Sequence, residues 1–264
     1  MGVDILIIVL VSFLSSVAGS ICGIGGGMVI KPVLDSIALF DLATVNFLSG
    51  CTVLTMSSFN VISSFIKKEN TIEIRNSSLL AFSSIWGGLS GKYFFELFQN
   101  YFTNQSYASA IQSLILLLIN LSSLIYTLNK DKISTLKITS TFYIVVIGFL
   151  LGFMSSFLGI GGGPINIIIL QHFFSMSNKT AAQNSLYIIF FSQLASLVPS
   201  FFTGNFTDVP LPVFYCMTGC GLSGALAGKY ISRKISGKNV NTLFISLMIF
   251  LVLLNIYNFI TFIS

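Results

Sequence analysis

The sequence predicts an all-α polytopic membrane protein made of two inverted repeats. Each repeat is interrupted by a Gly-rich helix break or re-entrant segment, for about eight to ten membrane segments in all. Three observations predict this. The chain is 54% hydrophobic and 8% charged, with a mean hydropathy of +0.91, where a soluble domain carries about 25% charged residues. The same five residue types stand at Gly23-Ile24-Gly25-Gly26-Gly27 and again at Gly159-Ile160-Gly161-Gly162-Gly163. Lys and Arg collect in some short loops and avoid others, which is how a chain orients in a bilayer.

All 264 residues are read as one transmembrane domain, with repeat 1 at about 1–129 and repeat 2 at about 138–264. The first apolar run is Ile5 to Ile21, taken as a retained helix because Met1-Gly2-Val3-Asp4 carries no basic region. After the first glycine break comes a short run, Met28 to Phe40, containing Lys31, Pro32 and Asp35. A full crossing takes roughly 20 residues, so this piece is short. Longer runs follow at Ala43 to Ile66, ending in Lys67-Lys68-Glu69-Asn70, at Ser78 to Phe98 with its small-residue patch Gly87-Gly88-Leu89-Ser90-Gly91, and at Ala108 to Leu128. Small residues at such spacing let helices approach closely in lipid. The basic connector from Asn129 to Lys137 divides the chain. Runs at Ile138 to Leu158, Pro164 to Met176, Ala181 to Phe202, Leu211 to Ile231 and Val240 to Ile263 repeat the order.

Aligning the halves confirms the duplication. Gly23 with Gly159, Thr44 with Thr180, and Ser49 with Ser185 all pair at one constant offset. Gly91-Lys92-Tyr93 pairs with Gly228-Lys229-Tyr230 at almost the same offset, a single position longer. The loops after Ile66, Leu128 and Ile231 are basic, whereas Gln99 to Ser106 and Phe202 to Pro210 hold no Lys or Arg. The basic loops are therefore expected in the cytoplasm and the others outside. An odd number of crossings per half follows, made as three crossings or as a hairpin plus one. The repeats are then inverted, with both termini outside and the protein in the bacterial cytoplasmic membrane.

The net charge of +5 belongs to these loops rather than to a nucleic-acid surface. Cys22, Cys51, Cys216 and Cys220 sit in or beside apolar runs, as small core residues rather than a disulfide framework. With one histidine and no CxxC, neither a metal site nor a cofactor is expected. The triplet Asn205-Phe206-Thr207 is a chance glycosylation match in an Asn- and Ser-rich chain. No GxxxxGK[ST] phosphate loop and no Ser/His/Asp or Cys/His set occurs, so neither an ATPase nor another enzyme is expected.

On its glycine motifs, the chain resembles the TauE/SafE family of membrane transporters, also called sulfite exporters. The likeness rests on Gly23 to Gly27 with Pro32, on Gly159 to Gly163, on the Thr-x-x-x-x-Ser helix starts and on the Gly-Lys-Tyr ends. It covers nearly the whole chain. The second half departs from the pattern, because Ile168 stands where a proline is expected and Pro164 follows the glycines directly. The resemblance implies movement of small sulfur-containing anions such as sulfite, thiosulfate or sulfonates without ATP hydrolysis.

A helix that starts inside a membrane offers unsatisfied N–H groups and a positive dipole end to an anion. The expected substrate-binding residues are therefore Gly25, Gly26, Gly27, Gly161, Gly162 and Gly163, with the polar groups of Thr44, Asn46, Ser49, Asn166, Gln183, Asn184 and Ser185. The competing reading makes the glycines packing contacts and the polar groups interhelical glue. Lys31 either lends positive potential to an anion or, the favoured reading, snorkels or pairs with Asp35 at i, i+4. Lys92 and Lys229 are expected to mark helix ends, and His172 to be a satisfied core residue. The function expected is a secondary transporter or facilitator working by alternating access. The alternatives are a membrane thiol-redox protein using the four cysteines and a non-transporting assembly factor.

Overall fold

Helix follows helix along the whole chain, as near-continuous apolar runs in lipid require. With no water to take up N–H and C=O groups, each backbone segment must satisfy its own hydrogen bonds. The computed structural model describes residues 2–37, 39–67, 72–102, 105–203 and 209–263. Among these it contains ten α-helices: α1 (Gly2–Cys22), α2 (Gly27–Ile37), α3 (Leu42–Ile66), α4 (Ile74–Tyr101), α5 (Gln105–Asn129), α6 (Thr141–Phe157), α7 (Gly163–Phe174), α8 (Asn178–Thr203), α9 (Leu211–Lys234) and α10 (Gly237–Ile263). The protein is an all-α polytopic membrane protein. Five of the helices are long and apolar enough to cross a bilayer: α1, α3, α5, α9 and α10. Lys68, Glu69, Asn70 and the triplet Asn205-Phe206-Thr207 lie outside the described residues.

The order of long and short helices is the same in both halves. So is the packing: α4 lies along α6 as α9 lies along α1, while α5 meets α10 and α3 meets α8. Glycines make the close approaches. A Cβ at Gly87 or Gly91 of α4 would run into the backbone of Phe149 or Phe153 on α6. On α9, a Cβ at Gly224 or Gly228 would stand 2.7 and 2.5 Å from the carbonyls of Phe13 and Val17 on α1. Phe149 and Phe153 are the repeat counterparts of Phe13 and Val17, at the offset that relates Gly159 to Gly23, so equivalent glycines sit on equivalent turns.

The short helices fold back on the long ones that precede them. Gly26 lies against Ser15 and Ser16, and Leu34 shares an apolar cluster with Ile8, so α2 runs antiparallel to α1. In the second half, Leu136 and Ile138 donate their N–H groups to His172 and Phe173 carbonyls at 2.7 and 3.0 Å, tying the end of α7 to the chain before α6. This contact corrects one expected boundary. The run from Ile138 is not helical at its start; it is extended, and the helix begins at Thr141. At about 1.5 Å per residue, the 11 and 12 residues of α2 and α7 reach only about half of the hydrocarbon thickness.

Polar residues inside the long helices are largely satisfied locally. Thr52, Thr55 and Ser58 of α3 each donate to the carbonyl four residues back, at 2.8, 2.9 and 2.6 Å. Further buried polar groups lie beside the two glycine breaks, among them Asn46, Ser49 and Asn166, and others lie on α5 and α10, among them Asn120 and Asn255.

Candidate functional site

The centre is built by the glycine breaks. Gly25 and Gly161 have φ of +72° and +69°, a backbone that a Cβ disfavours. This lets the two breaks touch. Gly163 donates its N–H to the Ile24 carbonyl at 3.0 Å, and a Cβ at Gly25 would stand 2.8 Å from the Gly161 carbonyl. Val53 of α3 and Ile189 of α8, counterparts at the same repeat offset, close on Gly161 and Gly25 respectively.

Each break is seated on a long helix of the other half. Gly23 rests on Ala182 and accepts a hydrogen bond at its carbonyl from Ser185 Oγ at 2.6 Å. Gly159 rests on the Asn46 side chain. Gly26 provides the first acceptor of α2, receiving the N–H groups of Val29 and Ile30, both at 3.1 Å. Gly162 precedes α7 with φ +106° and faces Ile189 and Asn166. The two helix starts differ. Gly163 has spent its N–H on Ile24 and Pro164 has none, so α7 offers fewer free donors than α2.

Buried donors beside the breaks without a hydrogen-bond partner in the protein include Asn46 Nδ2, Ser49 Oγ and Ser156 Oγ, and the hydroxyls of Ser15 and Ser16 against Gly26. Ser49 lies where a Gly27 Cβ would stand 2.7 Å from its hydroxyl. The Asn46 oxygen is taken by Lys31 Nζ at 2.8 Å. Lys31 is wholly buried, with Asp35 3.6 Å away. The i, i+4 pairing holds, but snorkelling does not; the ammonium points inward, to the residue beside Gly159. Asn166 is 1% exposed and its Oδ1 is also unpartnered. Thr44 is buried near the start of α3.

Two expected residues sit elsewhere. Asn184 accepts from the Glu73 N–H at 2.9 Å and from Ser77 Oγ, and donates to Thr180 O, so it fastens α8 to the start of α4. Gln183 accepts from Ser64 at 3.2 Å, toward the other end of α3. His172 is half-buried and lies edge-on to Tyr126 and Phe173, but its Nδ1 has no hydrogen-bond partner in the protein, so the expected satisfied core role is met in packing and not in hydrogen bonding.

A narrow polar crevice leads from Asn46, Ser156 and Gly159 past Gln193 to Ser196, Ser200 and Lys92. Lys92 does not mark the end of a helix, since α4 continues past it to Tyr101, and the same correction applies to Lys229, which α9 passes to end at Lys234. Lys229 is 5% exposed and donates to Asn60 O and Ser64 Oγ at 3.0 and 2.7 Å. The sequence signal was there: Lys229 follows Gly228 on the small-residue face of α9, a full turn before the helix ends. Such a face points at a neighbouring helix.

The four cysteines are free: Cys22 and Cys51 are buried on different helices, Cys216 is exposed and Cys220 half-exposed. Cys22 contacts Val240 O, and Cys51 packs with Phe47 and Leu197.

Residues 8–255 match the sequence profile described as sulfite exporter TauE/SafE. The chain belongs to the TauE/SafE family. Two curated relatives match this TauE/SafE chain nearly end to end. A probable membrane transporter protein, YunE of Bacillus subtilis, is 26% identical over 89% of this chain and 90% of its own. The probable membrane transporter protein MJ0441 of Methanocaldococcus jannaschii is 27% identical over 92% of this chain and 91% of its own. No solved structure matches it. Membership makes this TauE/SafE protein a membrane transporter; which solute it carries is a separate question, which the polar centre addresses.

Proposed function

We propose that the protein is a secondary transporter of small sulfur-containing oxyanions, sulfite, thiosulfate or sulfonates, working by alternating access around the two glycine breaks. The observation that carries this reading is the set of orphan donors. Asn46 Nδ2, Ser49 Oγ and Ser156 Oγ are buried without protein partners, and a buried donor left unmade costs about 1–3 kcal/mol. An oxyanion presents several acceptors at once and needs no hydrogen to give. The start of α2 beside Ser49 adds the dipole end that favours an anion, and Lys31 lends positive charge through Asn46.

Inversion of the repeats is supported by parity. Because α2 returns along α1, the pair leaves the chain on the side where it began; on this reading α3, α5 and the longer but less apolar α4 then cross three times. The connector holding Lys130 and Lys132 thus emerges opposite the start, and the second half begins from the other side. With that connector in the cytoplasm, both termini lie outside the cytoplasmic membrane, and the basic ends at Lys67 and Arg233 fall inside.

The test is charge movement in proteoliposomes on adding sulfite, thiosulfate, an alkanesulfonate, sulfate and chloride in turn, with labelled sulfite to detect silent exchange. Saturable movement of the sulfur oxyanions in preference to chloride is expected. Absence of both current and isotope uptake for every anion would overturn the reading.

A further inference from the structure

Lys31 and Asp35 stand where the second half has Ile167 and Gln171, and Asn46 stands where it has Ala182. Both halves nonetheless pack alike at these positions. Gly159 lies on Asn46 as Gly23 lies on Ala182, and α2 meets α3 as α7 meets α8. Ile167 and Ala182 are buried, as Lys31 and Asn46 are. The fold therefore makes these turns with apolar residues at the places of Lys31 and Asn46. A charged pair and an amide there are not needed for packing, and an ionisable residue inside a membrane is a sign of function.

Chemistry fixes how the three residues are used. An ammonium carries donors only, so the Asn46 atom 2.8 Å from Lys31 Nζ is the amide oxygen. The amide is planar, and holding its oxygen there turns Nδ2 the other way, where it has no protein partner. Asn46 lines the polar crevice together with Ser156, Gly159 and Gln193. Turned over, the amide would set its own N–H groups against a buried ammonium. Asp35 lies 3.6 Å from Nζ, so it holds the lysine in place and offsets its charge at longer range. What the pair supplies to the crevice is then less a charge than a direction.

We propose that Lys31, held by Asp35, is a positioning residue for Asn46: it locks the amide so that the anion site is offered a donor and not an acceptor. This deepens the transport reading and rests on it. An asparagine left to itself can present either end, since its oxygen and nitrogen ends are nearly alike in shape. A fully ionised oxyanion has acceptors only and meets the locked Nδ2 productively, together with the Ser49 and Ser156 hydroxyls. A cationic solute meets the same N–H groups as a repulsive wall. The site thereby selects anions while its charged pair stays neutral overall.

A cycle built from the second half's own residues tests the relay by uptake of labelled sulfite into proteoliposomes. Asn46→Ala and the pair Lys31→Ile with Asp35→Gln should each raise half-saturation about tenfold, the loss of one buried hydrogen bond. All three substitutions together should raise it no further, because the pair acts only through Asn46. If the pair does not elute as folded protein, Lys31→Met with Asp35→Leu takes its place in the cycle. Multiplied effects, about a hundredfold in the triple variant, would overturn the proposal, since Lys31 would then act on the anion by itself. Unchanged half-saturation in the pair would overturn it as well.

The orientation is read without any solute, from the side-chain amide resonances of protein carrying isotopically labelled asparagine. The Asn46 signal, assigned by its loss in Asn46→Ala, is expected as a single sharp pair in the parent. It should broaden or double in the Lys31→Ile/Asp35→Gln variant, where the amide is free to turn. A single sharp pair in that variant would overturn the relay. If the signal responds as expected while no anion moves, the transport reading falls and the lock on Asn46 stands. If sulfite moves and the effects multiply, the transport reading stands and the relay falls.

Discussion

Gly163 N–H and the Ile24 carbonyl, 3.0 Å apart, join the two glycine breaks directly across the halves of the chain. Neither break is a free-standing helix kink. Each is a seat for the other, so a side chain added to one displaces both. Gly25→Ala places a methyl group 2.8 Å from the Gly161 carbonyl in a backbone region that costs a non-glycine residue about 1–2 kcal/mol. Gly25→Ala and Gly161→Ala are expected to abolish anion flux in proteoliposomes. Gly219→Ala, which faces open space on α9, should transport like the parent. Equal flux in all three would remove the breaks from the transport pathway.

Lys31 and Asp35 form a pair within the membrane, with side chains 0% and 7% exposed. Removing one partner of such a pair leaves a charge uncompensated, at about 3–5 kcal/mol. Lys31→Met should therefore lower the melting temperature of the detergent-solubilised protein sharply. Lys31→Met combined with Asp35→Leu should recover most of that loss. A double variant no more stable than the single one would show that the pair is not the source of the effect.

Ser49 and Asn184 are expected to behave oppositely, although both are buried polar residues near helix starts. Ser49 Oγ has no protein partner, so Ser49→Ala should leave thermal stability nearly unchanged and raise half-saturating sulfite several-fold. Asn184 ties the Glu73 N–H and Ser77 to α8. Asn184→Leu orphans both donors and should cost about 1–3 kcal/mol of stability, with sulfite affinity retained in the folded fraction. Paired thermal denaturation and sulfite titrations separate the two roles.

Replacing Cys22, Cys51, Cys216 and Cys220 together by alanine or serine is expected to preserve sulfite flux, since the orphan donors at the centre are all nitrogen and hydroxyl groups. Loss of flux in the folded cysteine-free protein would favour the thiol-redox reading.

Much of the architecture was legible in the chain. The runs from Ile5 and Ala43 became α1 and α3 almost residue for residue, because an apolar stretch in lipid has only the helix available. The stretch before Thr141 was misread for an equally physical reason. Ile138 looks like the start of an apolar helix, but Leu136 and Ile138 have the end of α7 as hydrogen-bonding partner, and no local signal reveals a partner that distant. At the site, the glycines were visible from the duplication, and Asn46, whose repeat counterpart is Ala182, from its place among the polar residues at the start of α3. The difference between Asn184, which braces α4, and Ser49, which faces the centre unpaired, was not, because both carry donors and both stand near helix starts.

By itself the sequence determined that the chain lives in a bilayer, that it is duplicated, and where the helices break, since hydropathy, repetition and glycine are local properties of the chain. The tertiary structure alone decided that the breaks touch, that Lys31 turns inward to Asn46, and that Lys229 is latched on α3 while Lys92 faces a crevice. Those facts depend on which helices become neighbours. Two equivalent Gly-Lys-Tyr segments carry the same local instructions, and only the packing around them bonds Lys229 to Asn60 and Ser64 of α3 while Lys92 stays beside Glu96 of its own helix.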